Sequence, residues 1–349
     1  MKKFIFIGSI GIHKYNSTGG EIMKNRELLK YFREEGLDPV VIDIETYKER
    51  NPLKTFTMIA KLLLTFLWPF PRTVVISKYP LGAEKILKLA KFTNVFRKNI
   101  LYLVIGGDFV TLIQTKTVDT DYFKNLRLII VESMQMQVAL QEMGFKNVIY
   151  KPNFKHVHEI KSNYSKPGEV MKLVYLSRIM PEKGVELILN ALDEINRDRL
   201  LFQIDFYGPI EPTYDSNRFA EIISKCDFAS YRGILDMEDP KSYEILSSYD
   251  LFVFPTCYYE EGFPGALIDA LLAGVPILAS DFRFSREIIN ENIGYIFRFC
   301  DKEDLIDKLI MIYNNKEELL EKRRAIRNEK YKYDVNVVCE QILEEIRNA

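Results

Sequence analysis

The sequence predicts an α/β protein of two successive domains, each built on a parallel sheet, facing a central cleft. Three observations lead to this prediction. Short apolar runs alternate with helical periodicity through residues 1–150, the alternation stops in a polar, turn-rich segment at 151–168, and it starts again at residue 173. Strands that alternate with helices form right-handed β-α-β units, which join parallel strands. A chain of 349 residues is long enough for two such domains.

The first half is predicted to contain six strands and a helix after the first of them. The strands are short apolar runs, as buried parallel strands are. They cover residues 3–10, 39–44, 73–77, 100–105, 126–131 and 147–150. The helix is predicted over residues 20–35. Its apolar residues Ile22, Leu28 and Phe32 recur near helical spacing.

The second half repeats this alternation. Strands are predicted over residues 173–177, 201–207, 251–254 and 276–279. Helices are predicted over residues 184–197, 243–248, 263–273 and 304–314. The chain ends in a charged amphipathic segment, in which Val335, Val338, Ile342 and Ile346 are spaced for one face of a long helix.

Positive charge is concentrated between residues 52 and 100. This region has nine Lys and Arg against one acid, whereas the formal net charge of the whole chain is −1. It includes the apolar segment 55–68, which is too short to span a bilayer. The segment suits an amphipathic helix on an anionic membrane, and the alternative is a buried core helix.

The cysteines and histidines predict neither a disulfide framework nor a metal site. The four cysteines are Cys226, Cys257, Cys300 and Cys339. They are widely spaced and form no C-x-x-C pair, which favours a reducing compartment. Only three histidines accompany them, so a structural zinc site is not expected.

Two loops that follow predicted strands could bind phosphate. Gly19 and Gly20 open the first helix, and a helix N-terminus favours an anion. The surrounding residues match neither G-x-G-x-x-G nor a P-loop. Arg178 and Lys183 follow the first strand of the second half, just before a helix. Two cations and free N–H groups can neutralise a diphosphate without a metal, although surface charges in a helix-start loop are the alternative.

Two carboxylates flank a Gly-Phe-Pro-Gly turn in the second half. Glu261 precedes the turn, and Asp269 lies eight positions later in an apolar run. The turn can start a helix near Gly265, which places Asp269 in its first turns and leaves Glu261 on the loop. Acid oxygens beside outward N–H groups suit a polyhydroxylated anionic ligand such as a nucleotide sugar. The alternative is that these acids cap the helix and face solvent.

Together these three motifs resemble the retaining glycosyltransferases of the GT-B fold, in the large family called family 4. Other segments that carry the resemblance are Tyr175-Leu-Ser-Arg-Ile, Phe206-Tyr-Gly, Tyr231-Arg-Gly, Leu251-Phe-Val-Phe-Pro-Thr and Ala273-Gly-Val-Pro-Ile-Leu-Ala-Ser. The resemblance implies a Rossmann-like acceptor-binding domain at 1–152 and a Rossmann-like nucleotide-sugar domain at 153–330. It also implies that the last helix, 331–349, packs back on the first domain.

The resemblance implies a role for each candidate residue. Arg178 and Lys183 would hold the donor pyrophosphate, and Glu261 would contact the transferred sugar. Asp269 would bind the ribose hydroxyls through its carboxylate, and the N–H groups of Phe263, Gly265 and Ala266 would face sugar hydroxyls or phosphate. The backbone near Gly233 and Ile234 would contact the base, and Gly19 and Gly20 would contact the diphosphate.

Two positions depart from the family pattern. The family has a second Glu where this chain has Asp269, which is one methylene shorter. Many members have a His near the reacting sugar, and the corresponding stretch here, residues 105–109, has none. Asp108 is the nearest candidate for a polar contact or for orienting the acceptor. His13, in the glycine loop, is the second candidate.

The resemblance predicts transfer of a sugar from a nucleoside diphosphate donor, UDP rather than GDP, with retention and no metal. The acceptor would be a saccharide, expected to be linked to a polyprenyl diphosphate, in capsule, exopolysaccharide or O-antigen synthesis. The enzyme would be cytoplasmic and peripheral at the inner membrane face. A sugar-nucleotide epimerase and a non-catalytic sugar-nucleotide or lipid-binding partner remain alternatives. The missing G-x-G-x-x-G disfavours a dehydrogenase.

Overall fold

The computed structural model describes residues 4–11, 19–49, 51–67, 73–92, 99–161, 164, 166–212, 214 and 216–348. The chain forms two compact units, of which the first is Met1–His156 with Tyr333–Ala349 and the second is Val157–Lys332. Each unit contains a six-stranded sheet whose neighbouring strands all run parallel. The predicted α/β class with two parallel sheets is confirmed.

The sheet of the first unit has the order β2-β1-β3-β4-β5-β6. Its strands are β1 (Ile5–Gly8), β2 (Val40–Asp43), β3 (Val74–Lys78), β4 (Ile100–Val104), β5 (Leu128–Val131) and β6 (Val148–Tyr150). The connecting helices are α1 (Gly20–Glu34), α2 (Pro52–Leu67), α3 (Pro80–Phe92), α4 (Phe109–Gln114), α5 (Thr120–Lys124) and α6 (Met134–Glu142), with a 3-10 helix at Ile44–Glu49. Five of these strands lie within the predicted runs, and β3 extends one residue beyond its run, to Lys78.

The sheet of the second unit has the order β12-β11-β10-β7-β8-β9. Its strands are β7 (Met171–Leu176), β8 (Phe202–Tyr207), β9 (Ala229–Tyr231), β10 (Leu251–Phe254), β11 (Ile277–Ser280) and β12 (Gly294–Phe297). Its helices are α7 (Val185–Ile195), α8 (Ser216–Ser224), α9 (Pro240–Ser247), α10 (Gly265–Leu272), α11 (Ser285–Ile288), α12 (Lys302–Asn314) and α13 (Glu318–Glu329), with 3-10 helices at Pro181–Lys183 and Lys330–Tyr333.

Two strands of the second unit were not predicted. Strands β9 and β12 are the two edges of the sheet and have only three and four residues. Each has a half-buried rather than a fully buried pattern, so neither produces a clear apolar run. The strand order reverses at β7 and β10, and in an open sheet such a reversal leaves a crevice at the carboxyl ends of the two strands.

The end of the chain joins the core of the first unit. Two short helices, α14 (Val335–Val338) and α15 (Glu340–Arg347), replace the single long helix that the spacing predicted. Asp334 is extended because the backbone on either side of it pairs with Lys155: Lys155 N–H donates to Tyr333 O, and Val335 N–H donates to Lys155 O, both at 3.0 Å. A new helix therefore begins after Asp334, whose side chain caps it.

The apolar face of this terminal segment is buried as predicted. Val335, Val338, Ile342 and Ile346 join the core that α1 and the sheet form around Phe32. The first helix and the chain end are thus held by one hydrophobic cluster. Across the described ranges, no helix has both the length and the apolar character needed to cross a membrane.

The side chain of His156 connects the segment after β6 to helix α1. His156 pairs through Nδ1 with Glu27, and its Nε2 lies 2.9 Å from Glu34 Oε2. Burial alone would lower the pKa of His156, but the hydrogen bond and charge of Glu27 outweigh burial and raise it above 6.5. Burial likewise opposes the shift of Glu27, whose pKa is lowered from 4.5 by His156.

We expect the stabilising effect of this ion pair to depend on pH. A raised histidine pKa contributes stability that is fully present below pH 6.5 and is lost as pH rises through the folded-state pKa. His156→Gln should lower the free energy of unfolding by about 1 kcal/mol near pH 6 and by less above pH 8. Urea unfolding across this range, with Glu27→Gln as a second variant, measures the effect. A destabilisation that is equal at all pH values would contradict the prediction.

Candidate active site

The loops after β7 and β10 meet backbone to backbone in the second unit. Gly184 has a φ of +73°, and a Cβ placed there would lie 1.8 Å from Pro255 O. Only glycine fits this position, because a side chain would collide with a main-chain carbonyl that cannot move aside. Cys257 N–H also donates to Glu182 O at 2.8 Å. The two loops are therefore held in a fixed relation at the crevice.

A buried ion pair joins these two loops. Lys183 Nζ donates to Glu261 Oε1, and each side chain is only 11% exposed. Thr256 Oγ1 donates to the same carboxylate oxygen at 3.1 Å. Lys183 Nζ also lies 5.5 Å from the centre of the Tyr258 ring. Two of the predicted site residues are thus brought together at the point where the strand order reverses.

Arg178 points to a different partner from Lys183. Its Nη1 lies 3.3 Å from Glu211 Oε2 on the loop after β8, and its side chain is 50% exposed. Tyr175 Oη donates to Arg178 O at 2.8 Å, which anchors the start of the loop. The guanidinium is therefore accessible to an anion, while its weak surface pairing restrains it little.

Helix α10 starts at Gly265, as the turn predicted, and Asp269 lies in its second turn. Asp269 is 3% exposed, and its Oδ1 accepts a hydrogen bond from Tyr243 Oη at 2.9 Å. Pro264 precedes the helix and has no N–H, whereas Gly265 and Ala266 supply first-turn N–H groups that have no carbonyl within the helix. The partner Tyr243, on α9, was not predicted, because nothing local in the sequence links it to Asp269.

The remaining candidates of the second unit lie at neighbouring strand ends. Phe263 is buried beside the start of α10. Gly233 has a φ of +82° and its carbonyl accepts Gly208 N–H at 2.9 Å. Ile234 is 57% exposed. These residues follow β9 and β10, so they share the carboxyl edge of the sheet with the Lys183–Glu261 pair.

In the first unit, Gly19 and Gly20 start α1 as predicted. Gly19 is the N-cap, and its carbonyl accepts Ile22 N–H at 2.9 Å. Among the residues that the structure describes, none has an atom within 4 Å of a Cβ built on either glycine, so their packing does not require glycine here. The prediction for His13 falls outside the described residues.

Asp108 is half-buried and is held by a neighbouring tyrosine. Tyr79 Oη donates to its Oδ2, whereas within the described part of the chain its buried Oδ1 has no hydrogen-bond partner. Gly106, two residues earlier, has a φ of +100°, and a Cβ there would lie 3.3 Å from the Tyr79 ring. Tyr79 and this turn thus hold the carboxylate in place.

A polar cluster at the carboxyl end of β3 was not among the predicted site residues. Lys78 Nζ donates to Ser9 Oγ at 2.5 Å and to Glu21 Oε1 at 2.8 Å, and Glu45 lies 3.8 Å away. Lys78 is largely buried, so its charge is balanced within the unit. The only local feature of the sequence that could have predicted Lys78 as a site residue is its position at the end of an apolar run.

The spacing of the cysteines predicted no disulfide framework and did not reveal the disulfide that the structure contains. Cys257 and Cys300 are bonded, while Cys226 and Cys339 are free thiols. The two partners are 43 positions apart, and they meet because the loops after β10 and β12 lie at one edge of the same sheet. The inference of a reducing compartment from cysteine spacing loses its basis.

The family model for glycosyl transferases group 1 matches residues 157–333, just over half of the chain. The chain belongs to this family. It is a glycosyltransferase, as predicted. Throughout the described ranges, no group of three or more His, Cys, Asp or Glu side chains is placed to hold a metal ion.

The chain is also similar in sequence or in structure to known proteins. Sulfoquinovosyl transferase SQD2 of Arabidopsis thaliana is 24% identical over 218 residues, which are 61% of this chain and 40% of that protein. The chain thus matches less than half the length of this relative. Sucrose-phosphate synthase from Thermosynechococcus elongatus has a TM-score of 0.76 at 16% identity, covering 100% of this chain and 99% of that chain. Anabaena Alr3699/HepE in complex with UDP-glucose has a TM-score of 0.72 at 14% identity, covering 100% of both chains. These structures confirm the GT-B fold.

The buried pair of this glycosyltransferase can be tested by its effect on stability. Lys183→Met should lower the free energy of unfolding by about 3 kcal/mol, because it leaves the Glu261 carboxylate buried without its cation. The double variant Lys183→Met with Glu261→Gln should recover most of this loss. Urea unfolding of the wild type, each single variant and the double variant measures the coupling. Additive losses in the double variant would show that the two side chains do not stabilise each other.

Proposed function

We propose that this glycosyltransferase transfers a sugar from a nucleoside diphosphate sugar to a saccharide acceptor with retention of configuration, as a member of family 4. The observation that carries the proposal is the Lys183–Glu261 pair at the crevice between β7 and β10. A cation and a carboxylate at one point suit a ligand that has phosphate oxygens next to sugar hydroxyls. The solved complexes of Alr3699/HepE with UDP and with UDP-glucose support UDP-sugars as the donors.

Arg178 and Lys183 act on the phosphates. In the proposed reaction the bond between the anomeric carbon and the donor phosphate breaks, and the acceptor hydroxyl attacks the same face of the sugar. The hydroxyl proton passes to the departing diphosphate. Negative charge builds up on that leaving group, so fixed cations stabilise the transition state more than the ground state. Glu261 accepts a hydrogen bond from a hydroxyl of the transferred sugar and thereby orients it.

The other proposed donor contacts come mainly from residues that lie after the strands of the second unit. Asp269 accepts hydrogen bonds from the ribose hydroxyls, and Tyr243 fixes the direction of its carboxylate. The N–H groups of Phe263, Gly265 and Ala266 contact phosphate or sugar, and the backbone of Gly233 and Ile234 contacts the base. In the first unit, Gly19 and Gly20 contact phosphate, and Asp108 contacts the acceptor.

Replacing Arg178 is expected to slow sugar transfer. Arg178→Ala should lower kcat by about 100-fold at saturating UDP-sugar, because the leaving diphosphate loses a fixed charge. Arg218→Ala is the matched control, since Arg218 is also an exposed arginine paired with one glutamate, Glu186. It should keep the wild-type rate. Turnover is followed by NMR, which also reports the anomeric configuration of the product.

Three outcomes of this experiment would contradict the proposal. A near-normal kcat in Arg178→Ala would remove the charge-stabilising role of that residue. A product of inverted configuration would exclude the retaining mechanism. Isomerisation of the donor with no acceptor present would favour a sugar-nucleotide epimerase.

The acceptor side is proposed to lie at a membrane. Helix α2 buries Leu62 and Phe66 and exposes an apolar face made by five other side chains. The exposed residues are Leu53, Phe56, Ile59, Leu64 and Leu67. These side chains are 44 to 71% exposed, which argues against the alternative of a fully buried core helix.

Helix α3 packs against α2 and supplies positive charge beside this apolar face. Its lysines Lys85, Lys88 and Lys91 recur every three residues and are exposed. Apolar side chains next to a row of lysines suit the interface of an anionic bilayer. We propose peripheral attachment at the cytoplasmic face of the cell membrane and a lipid-linked saccharide acceptor, as in bacterial capsule, exopolysaccharide or O-antigen synthesis.

Vesicle flotation tests this attachment. The protein should float with vesicles that contain anionic lipid at low salt, and much less with neutral vesicles or at high salt. Leu64→Glu with Leu67→Glu should abolish flotation. Val337→Glu is the matched control, because Val337 is an equally exposed apolar residue on α14. Equal binding to neutral vesicles, or no binding to anionic ones, would contradict the proposal.

A further inference from the structure

The disulfide lies at the start of the loop that carries Glu261. Cys257 follows Thr256, whose hydroxyl bonds to Glu261, and Cys300 lies just after β12. The bond therefore ties the loop after β10 to a second loop of the same unit. Motion of Cys257 is restricted by this bond, and Glu261 is only four residues further along the chain.

The other ties of this loop to its surroundings are non-covalent. Glu260 pairs with Arg283, and the Tyr259 carbonyl accepts Arg283 N–H at 3.2 Å. The Tyr259 ring meets Phe299 edge-on, with ring centres 5.4 Å apart. Phe299 directly precedes Cys300, so the ring contact and the disulfide hold the same two segments. Reduction would leave only the weaker contacts.

Of the four cysteines, the bonded pair is the more accessible to a redox reagent. Cys300 is exposed and Cys257 is half-buried, so a reductant can approach. Burial raises the pKa of Cys339 and, together with nearby acids, that of Cys226, which lowers the thiolate fraction of both. Cys300 also has a φ of +53°, one of two such values at non-glycine positions in the described ranges, and releasing the bond lets it relax.

We propose that Cys257–Cys300 is a reversible thiol–disulfide site that controls the affinity of the crevice for the nucleotide sugar. This inference rests on the proposed function. A dithiol reductant attacks Cys300 Sγ as its thiolate, the Cys257–Cys300 bond breaks, and Cys257 leaves as a thiolate that takes up a proton. The second thiol of the reductant then displaces Cys300 and closes its own disulfide. Two electrons and two protons pass to the protein, and the loop of Glu261 becomes looser.

Calorimetric titration with UDP tests the proposal on the oxidised protein and on protein reduced with dithiothreitol. The reduced form should bind UDP roughly five- to tenfold more weakly, as is typical of a coupling between two sites. Its Tm should fall by roughly 5 °C or more, since a disulfide constrains the unfolded chain. Mass spectrometry confirms the gain of two hydrogens.

Variants separate this site from other effects of the reductant. Cys257→Ser with Cys300→Ser should bind UDP as the reduced wild type does, with or without dithiothreitol. Cys226→Ser is the control and should respond to reduction as the wild type does. Equal UDP affinity in the two redox states, or a response that persists in the double variant, overturns the proposal. If neither state binds UDP, the proposed function fails and this inference fails with it.

Discussion

The buried contact between Lys183 and Glu261 is the interaction on which the candidate site depends. Removing two charges from water has a large free-energy cost, and hydrophobic residues of similar volume often stabilise a protein as well or better. Stability alone therefore does not explain this pair. It depends in turn on Gly184, since only a residue without a side chain lets the loop after β7 reach Pro255. The crevice, the pair and the start of α10 form one rigid arrangement.

The sequence predicted the parts of the fold that depend on local pattern. Buried parallel strands such as β4 and β10 are uninterrupted apolar runs that follow a polar residue, so their positions were clear. The edges β9 and β12 are short and half-buried, and their place in the sheet depends on the neighbouring strand rather than on their own residues. The break before Val335 likewise arises from pairing with Lys155, which is distant in sequence.

The candidate site was predictable to the same extent. Motif spacing placed Lys183 and Glu261 on loops and started a helix at Gly265, because glycine and proline determine turns locally. It could not supply the partners. Asp269 with Tyr243, and Cys257 with Cys300, are contacts across the sheet edge. The charge count of the basic region did not predict which of its lysines are exposed. Lys78 is paired with Glu21 inside the first unit, whereas Lys85, Lys88 and Lys91 of α3 face solvent.

The Lys183–Glu261 pair also suits the proposed donor, because one ion pair could serve two parts of it. Lys183 needs an anion and Glu261 needs a hydrogen-bond donor, and in the structure each supplies the other. Under the proposed function, a nucleoside diphosphate sugar would present both groups side by side, so that phosphate oxygens would contact the lysine while a sugar hydroxyl would contact the carboxylate. A free nucleoside diphosphate replaces only one partner and leaves Glu261 buried without a donor other than Thr256. In the proposed reaction, the pair would therefore favour the intact donor over the product, which would promote release of the diphosphate after transfer.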